Sequence, residues 1–214
     1  MTPTQRFIAT VAAIVVMGVS VYYLVLKGST PGEMSGTATT TPSTATSTTK
    51  DGNATPQLVT PDYKKPIAFS ASITPDIRTQ LNAELKVVQG QIAANPLNIG
   101  PWVNLGTIYK QGGDYANAAL YWEYVATTYT GKYVPYYSLG DLYENFLHNT
   151  TKAETYYKLA ITANPQNVNA YASLYTMYHY TLHDDVKAAA ILDAGLKANP
   201  GNNYLLGLQA ELNK

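Results

Sequence analysis

No cysteine occurs in the 214 residues. Disulfides, thiolate metal sites, a cysteine nucleophile and a lipid-bearing amino-terminal cysteine are thereby excluded. Charge is scarce as well. Charged side chains make up 13% of the chain, against about a quarter in ordinary soluble domains. The 14 basic and 14 acidic residues cancel, so nothing steers the chain toward nucleic acid or an acidic surface, and no nucleic-acid partner is expected. Catalytic signatures are missing too: no P-loop, G-x-G-x-x-G, G-x-S-x-G or H-E-x-x-H is present. No enzyme activity, catalytic residue, cofactor or metal site is therefore expected. Phenylalanine appears three times while tyrosine appears 19 times, so core and surface are built from tyrosine, asparagine, threonine and alanine.

Past a short tail (1–6), residues Phe7 to Leu26 run for 20 residues without a charge. At a rise of about 1.5 Å per residue a helix of that length reaches roughly 30 Å, the depth of a hydrocarbon core. Tyr22 and Tyr23 sit near one end, where amphipathic rings suit the interface. A cleaved signal peptide has a shorter apolar region followed by small residues, whereas this run ends in Tyr-Tyr-Leu-Val-Leu-Lys. A retained transmembrane helix is expected over 7–26. Arg6 and Lys27 flank it almost evenly. The bulk of the chain is placed on the extracytoplasmic side because the next stretch is a Ser/Thr/Pro stalk, a kind common outside cells. Residues 29–61, rich in Ser, Thr, Gly and Pro, cannot bury enough surface to offset their ordering entropy, and a disordered linker is expected over 27–73. Its end-to-end distance would be roughly 35–40 Å. Asn53 and Asn149 match the glycosylation acceptor pattern, which a threonine-rich chain also produces by chance.

Order is expected from Thr74, which can cap a helix whose first residues are Pro75 and Asp76. Ile77, Leu81, Leu85, Val88 and Ile92 form one apolar stripe, predicting a leading helix over 75–95 that stops at Asn95-Pro96.

The strongest signal is internal. Trp102, Leu105, Gly106 and Tyr109 are followed by Ala118, Trp122 and Val125. Tyr136, Leu139, Gly140 and Tyr143 are followed by Ala153, Tyr157, Ala160 and Pro165. Tyr171, Leu174, Tyr175 and Tyr178 are followed by Ala188, Leu192, Gly195 and Pro200. The interval is 34 residues from Trp102 to Tyr136 and 35 from Tyr136 to Tyr171, and a fixed period of this size means stacked supersecondary units. The pattern resembles the tetratricopeptide repeat (TPR), a helix–turn–helix unit of about 34 residues. The resemblance implies an all-α, right-handed TPR-like solenoid of helical hairpins over 74–214, with repeats at about 99–131, 133–166 and 168–201 and a capping helix at 203–213. The first repeat matches best, departing at Val125 and Thr130. The second and third carry one extra residue in the inner turn, and the third has Tyr175 where a small residue belongs.

Physically, Gly106 and Gly140 remove a side chain where paired helices meet, and Ala118, Ala153 and Ala188 do so from the facing helix. Gly112-Gly113-Asp114 supplies a turn. No unit buries its own apolar face, so stability comes from stacking. His179 and His183, with Asp184 and Asp185, have a spacing that could place two metal ligands on one helix face. Yet "LHNTTKAE" and "LHDDVKAA" occupy equivalent places in successive repeats. His148 and His183 are therefore read as turn residues held by side-chain-to-backbone hydrogen bonds. Tyr121, Tyr124, Tyr129, Tyr133, Tyr137, Tyr156 and Tyr180 are surplus to the repeat and are candidates for an exposed contact surface.

In the family, the first helix of each repeat lines a concave groove that holds a peptide. The resemblance implies a groove of Val103, Thr107, Lys110 and Gln111, then Tyr137, Asp141, Glu144 and Asn145, then Ala172, Thr176, His179 and Tyr180. Val103 and Thr107 stand where carboxylate-gripping members carry Lys and Asn, which argues against that subfamily. The expected function is a membrane-anchored scaffold or chaperone-like assembly factor at the cell envelope. Its partner would be a protein or peptide, itself membrane-associated where the tether concentrates it. The alternative is a structural, glycan-contacting envelope protein on a glycosylated stalk.

Overall fold

The structure is a computed structural model that describes residues 60–213; the segments expected to span a membrane (7–26) and to form the linker over 27–59 lie outside the described residues. Short polar residues set the helix starts. Thr74, Asn98, Asp114, Asn149, Asn167, Asp184 and Asn202 each accept a backbone N–H from the first turn of the adjoining helix, whereas the α-helix after Lys132 begins without a side-chain cap. The helices are α1 (Pro75–Ala94), α2 (Ile99–Gln111), α3 (Tyr115–Thr128), α4 (Tyr133–Asn145), α5 (Thr150–Ala163), α6 (Val168–Thr176), α7 (Asp185–Ala198) and α8 (Asn203–Leu212). Pro101 and Pro135 fall inside the first turns of α2 and α4, where a missing N–H costs nothing. Asn-Pro pairs end α1, α5 and α7. Among the described residues there is no strand, and no helix is long and apolar enough to cross a membrane.

The helices pair as hairpins, α2 with α3, α4 with α5 and α6 with α7, and each hairpin packs on the next, with α1 leading and α8 trailing. The bulky residue one turn into each first helix ties it to the preceding unit. Trp102 donates its indole N–H to Pro96 O at 2.8 Å, Tyr136 its hydroxyl to Ala126 O at 3.4 Å, and Tyr171 its hydroxyl to Pro165 O at 3.0 Å.

The repeat glycines act as windows. A Cβ on Gly140 would lie 2.5 Å from Tyr157 Cδ1, and one on Gly106 would meet the indole of Trp122. The partner at the close contact is thus an aromatic ring of the second helix; the alanines at 118, 153 and 188 are buried but are not what the glycines admit. Through the first window Trp122 donates to Val103 O at 3.0 Å, and through the second Tyr157 donates to Glu144 Oε2 at 2.8 Å. The third repeat reverses the sizes. Tyr175 fills the glycine place and Leu192 stands where the aromatic would be, both fully buried.

Inner turns also differ from the sequence reading. The extra residue of the second and third repeats is absorbed by wide-turn bonds, Leu147 N to Leu142 O and Leu182 N to Met177 O, and in the third by a π-helical turn, Met177–Thr181. His148 and His183 take φ of 50° and 51°, the left-handed place that Gly113 fills at 80° in the first repeat. Their role is backbone conformation; neither ring hydrogen-bonds to a described residue, so the expected side-chain-to-backbone bonds are absent among them.

The largest departure is at the amino-terminal edge. Residues 60–73, expected to belong to the linker, lie as a strap on α1 and the first hairpin. Ile67 is buried, and a Cβ on Gly112 would come within 2.5 Å of its Cγ2. Ala68 N donates to the carboxylate of buried Asp114, and Ser70 N to Gly112 O at 2.9 Å. Tyr109 donates to Lys65 O at 2.5 Å, Tyr121 to Asp62 O at 2.7 Å and Gln89 to Tyr63 O at 3.0 Å. The equivalent tyrosines of later repeats, Tyr143 and Tyr178, reach Glu123 and Glu154 of the preceding unit. The strap therefore supplies what a preceding repeat would. Gly112-Gly113 is small because the strap passes there, as well as because the chain turns. Ile77, placed in the stripe of α1, is exposed.

Candidate functional site

α4 and α6 present side chains of successive repeats on one side, and α8 closes the far end. Between them lies a cleft of about 230 Å³, lined by Tyr137, Asp141, Glu144, Asn145, Tyr157, Asn169, Ala172, Ser173, Thr176 and Tyr204. The first-helix positions Tyr137, Asp141, Glu144, Asn145, Ala172 and Thr176 are brought together here. The others are not. Val103 is buried, Thr107 and Gln111 are exposed on α2 outside the cleft, and Lys110 pairs with Asp141 from the side, its ammonium 4.7 Å from the Phe146 ring. His179 and Tyr180 lie on the π-helical turn. His179 Nδ1 is 2.6 Å from Asp185 Oδ1, and Tyr180 donates to Glu211, which pushes its phenol up to about 12.

Four lining residues escaped the sequence reading. Asn169 and Ser173 share the helical stripe of Ala172 and Thr176, so periodicity could have found them. Tyr204 stands 35 residues beyond Asn169, the period carried one step further. Tyr157 belongs to a second helix, and only the missing Cβ of Gly140 lets its hydroxyl reach the cleft.

The surplus tyrosines divide otherwise than expected. Tyr180 is exposed, Tyr121 is fully buried, and Tyr124, Tyr129, Tyr133, Tyr137 and Tyr156 are half-buried against the core. Several hydroxyls are engaged: Tyr129 with Leu97 O, Tyr133 with Asn167, Tyr156 with Glu123.

Polar chemistry in the cleft is uneven. Asp141 is satisfied on both oxygens, by Lys110 and by Asn145 Nδ2 at 3.0 Å. Glu144 accepts only the Tyr157 hydroxyl among the described residues. Burial raises the Glu144 pKa, the Tyr157 hydrogen bond opposes the shift, and the negative charge of Asp141 adds to it. Burial foremost, with Glu144 beside it, holds the Tyr157 phenol far above its ordinary value. Among the described residues no group of three or more His, Asp or Glu is arranged to hold a metal ion.

Comparison with known proteins bears on this hairpin directly. Residues 134–167 match the tetratricopeptide repeat family model. The match is α4 with α5, the hairpin that supplies Tyr137, Asp141, Glu144 and Asn145. It falls on the second repeat, whereas the residue pattern favours the first. In structure, the chain is similar to a crystal structure of MamA, at 20% identity and a TM-score of 0.51, over 67% of this chain and 90% of that one. No curated protein matches the chain in sequence. Over the described residues the fold is an all-helical, TPR-like array.

Proposed function

We propose that this protein binds another polypeptide in the cleft between α4, α6 and α8, acting as a scaffold or assembly factor rather than as an enzyme. The observation that carries the reading is the cleft itself. Polar groups at first-helix positions of successive repeats converge there with tyrosine faces, a combination that suits a peptide backbone and its side chains. The tetratricopeptide match over the same hairpin and the solenoid fold support it. The charge-free run at 7–26 supports membrane anchoring, and the Ser/Thr/Pro-rich stretch that follows it supports an extracytoplasmic repeat domain at a cell envelope. A tether there raises the effective concentration of membrane-bound partners. The glycan-contacting alternative relied on exposed surplus tyrosines, and only Tyr180 among them is exposed.

Site-specific photo-crosslinking tests the reading. A benzophenone side chain at Thr176 or Asn145 of the full-length protein in cells is expected to yield a discrete polypeptide adduct. The same group at Leu159, on α5 outside the cleft, yields none. Adducts from Leu159 alone would move the binding surface elsewhere. Protease cleavage of the 29–59 segment in intact cells, from outside, checks the topology.

A further inference from the structure

We propose that the cleft receives the ammonium or guanidinium group of a lysine or arginine side chain from the bound polypeptide, with Glu144 as its counter-ion. The inference rests on the reading of this cleft as a polypeptide groove and names the chemistry it selects. Three observations converge. The walls include two carboxylates and no basic residue. Lys110, the cation beside them, is already paired with Asp141, which Asn145 also holds. Glu144 is left half-buried with a single neutral donor, the Tyr157 hydroxyl, on one oxygen, while its other oxygen has no hydrogen bond from a described residue. A carboxylate withdrawn from water without a cation is unfavourable, and a ligand cation relieves that cost when it binds.

The third wall element is aromatic. Tyr137 stacks on Tyr133 at 5.5 Å, and Tyr204 remains 58% exposed at the far end of the cleft. Tyrosine faces attract ammonium and guanidinium groups and pack against the methylene stem that carries them. The volume of about 230 Å³ accommodates one long side chain rather than a folded element. Asn145, Asn169, Ser173 and Thr176 around it offer neutral donors and acceptors to the adjoining backbone. The glycine window at 140 is what delivers the Tyr157 hydroxyl, which holds the Glu144 carboxylate on the cleft side.

Selection from a random-peptide phage library on the immobilised full-length protein, run in parallel with Glu144→Gln, tests this. The amide keeps an acceptor for Tyr157, and circular dichroism melting confirms that the variant folds. The native protein is expected to enrich peptides with Lys or Arg at one fixed register, and Glu144→Gln is expected to enrich peptides without that preference. In a selected peptide made synthetically, replacing the basic residue by norleucine weakens binding to the native protein about tenfold and leaves binding to the variant nearly unchanged. Enriched peptides lacking a basic residue, or the same basic preference with Glu144→Gln, overturn the counter-ion role and leave the groove standing. No enrichment by the native protein overturns the groove and this inference with it.

Discussion

Gly112 and Ile67 lie in the inner turn of the first hairpin and in the strap, and they offer a sharp test of how the amino-terminal edge is sealed. Gly112 has φ −74° and ψ −8°, a backbone that alanine adopts freely. Steric freedom is therefore not why it is glycine. An added Cβ would sit 2.5 Å from Ile67 Cγ2, whereas carbon atoms pack at about 3.5–4.0 Å. Relieving that overlap by more than an ångström displaces the strap, at an expected loss of about 2 kcal/mol. Ile67→Ala removes the offending methyl and leaves a cavity at a site that can partly collapse, also costing about 2 kcal/mol, the low end for buried isoleucine. Additivity would make the double variant about 4 kcal/mol worse than the native protein. The geometry predicts instead that Gly112→Ala becomes harmless once Ile67 is truncated, even favourable by about 0.5 kcal/mol through reduced unfolded-state entropy. The double variant should then resemble Ile67→Ala alone, a coupling of about 2–3 kcal/mol. Chemical denaturation followed by tryptophan fluorescence measures this, and Trp102 reports the strap because Tyr63 stands edge-on to it at 5.7 Å. Losses that add to within about 0.5 kcal/mol would falsify the strap contact.

His148 and His183 are exposed, so only the backbone is at stake: valine at either site should cost about 1–2 kcal/mol, and glycine should be neutral or stabilising, as read by thermal melting. Equal melting of the valine and glycine variants would contradict the left-handed assignment. The Tyr175 hydroxyl is buried without a hydrogen-bond partner among the described residues, so Tyr175→Phe should leave stability unchanged or raise it by up to about 1 kcal/mol; a loss beyond that would reveal a hidden partner. Because the folded-state pKa of Glu144 lies above its unfolded value, the native state holds the proton more tightly. Stability then falls as pH rises from the ordinary glutamate range through the raised value and stays lowered at neutral pH. Glu144→Gln should lack that fall and melt higher at pH 7, and a lower melting point there would refute the uncompensated-carboxylate argument.

Features written in local chemistry were legible before any coordinates. The Thr74 cap and the Asn95-Pro96 stop act within a few residues, and the helix pairing comes from a period the chain repeats; the Asn and Asp caps of the later helices are equally local but were not read. What else escaped depends on distant partners. Nothing in the stretch around Ile67 has helical or strand periodicity, although Tyr63, Ile67, Phe69 and Ile73 set its composition apart from the Ser/Thr-rich stretch before it. Its order comes from Tyr109 and Tyr121, 44 and 59 residues away from the carbonyls they bind. The glycines announced a close contact but not which side chain enters it, because the pattern fixes positions along a helix and leaves the rotamer of Trp122 or Tyr157 open. The cleft was half readable for the same reason. Its first-helix members keep to the period, while Tyr157 enters from the neighbouring helix through a gap.

The scarcity of charge and the abundance of tyrosine then have one explanation. Where units meet, the chain uses phenol hydroxyls as connectors: Tyr109 to the strap, Tyr143 to Glu123, Tyr178 to Glu154, Tyr133 to Asn167, Tyr171 to Pro165. A phenol fills the gap between helices with its ring and places a single donor at the far side, so it joins packing and polar satisfaction in one residue. Burial foremost pushes the pKa of Tyr143 and Tyr178 further above neutrality, so both phenols keep the donated proton across the physiological range, and Lys152 and Lys158 balance the charge of their acceptors Glu123 and Glu154. In such a framework a half-buried carboxylate without a cation is not part of the construction of the solenoid. Gln at 144 would accept the Tyr157 hydroxyl equally well without the desolvation cost, which is the ground for the counter-ion role proposed for Glu144.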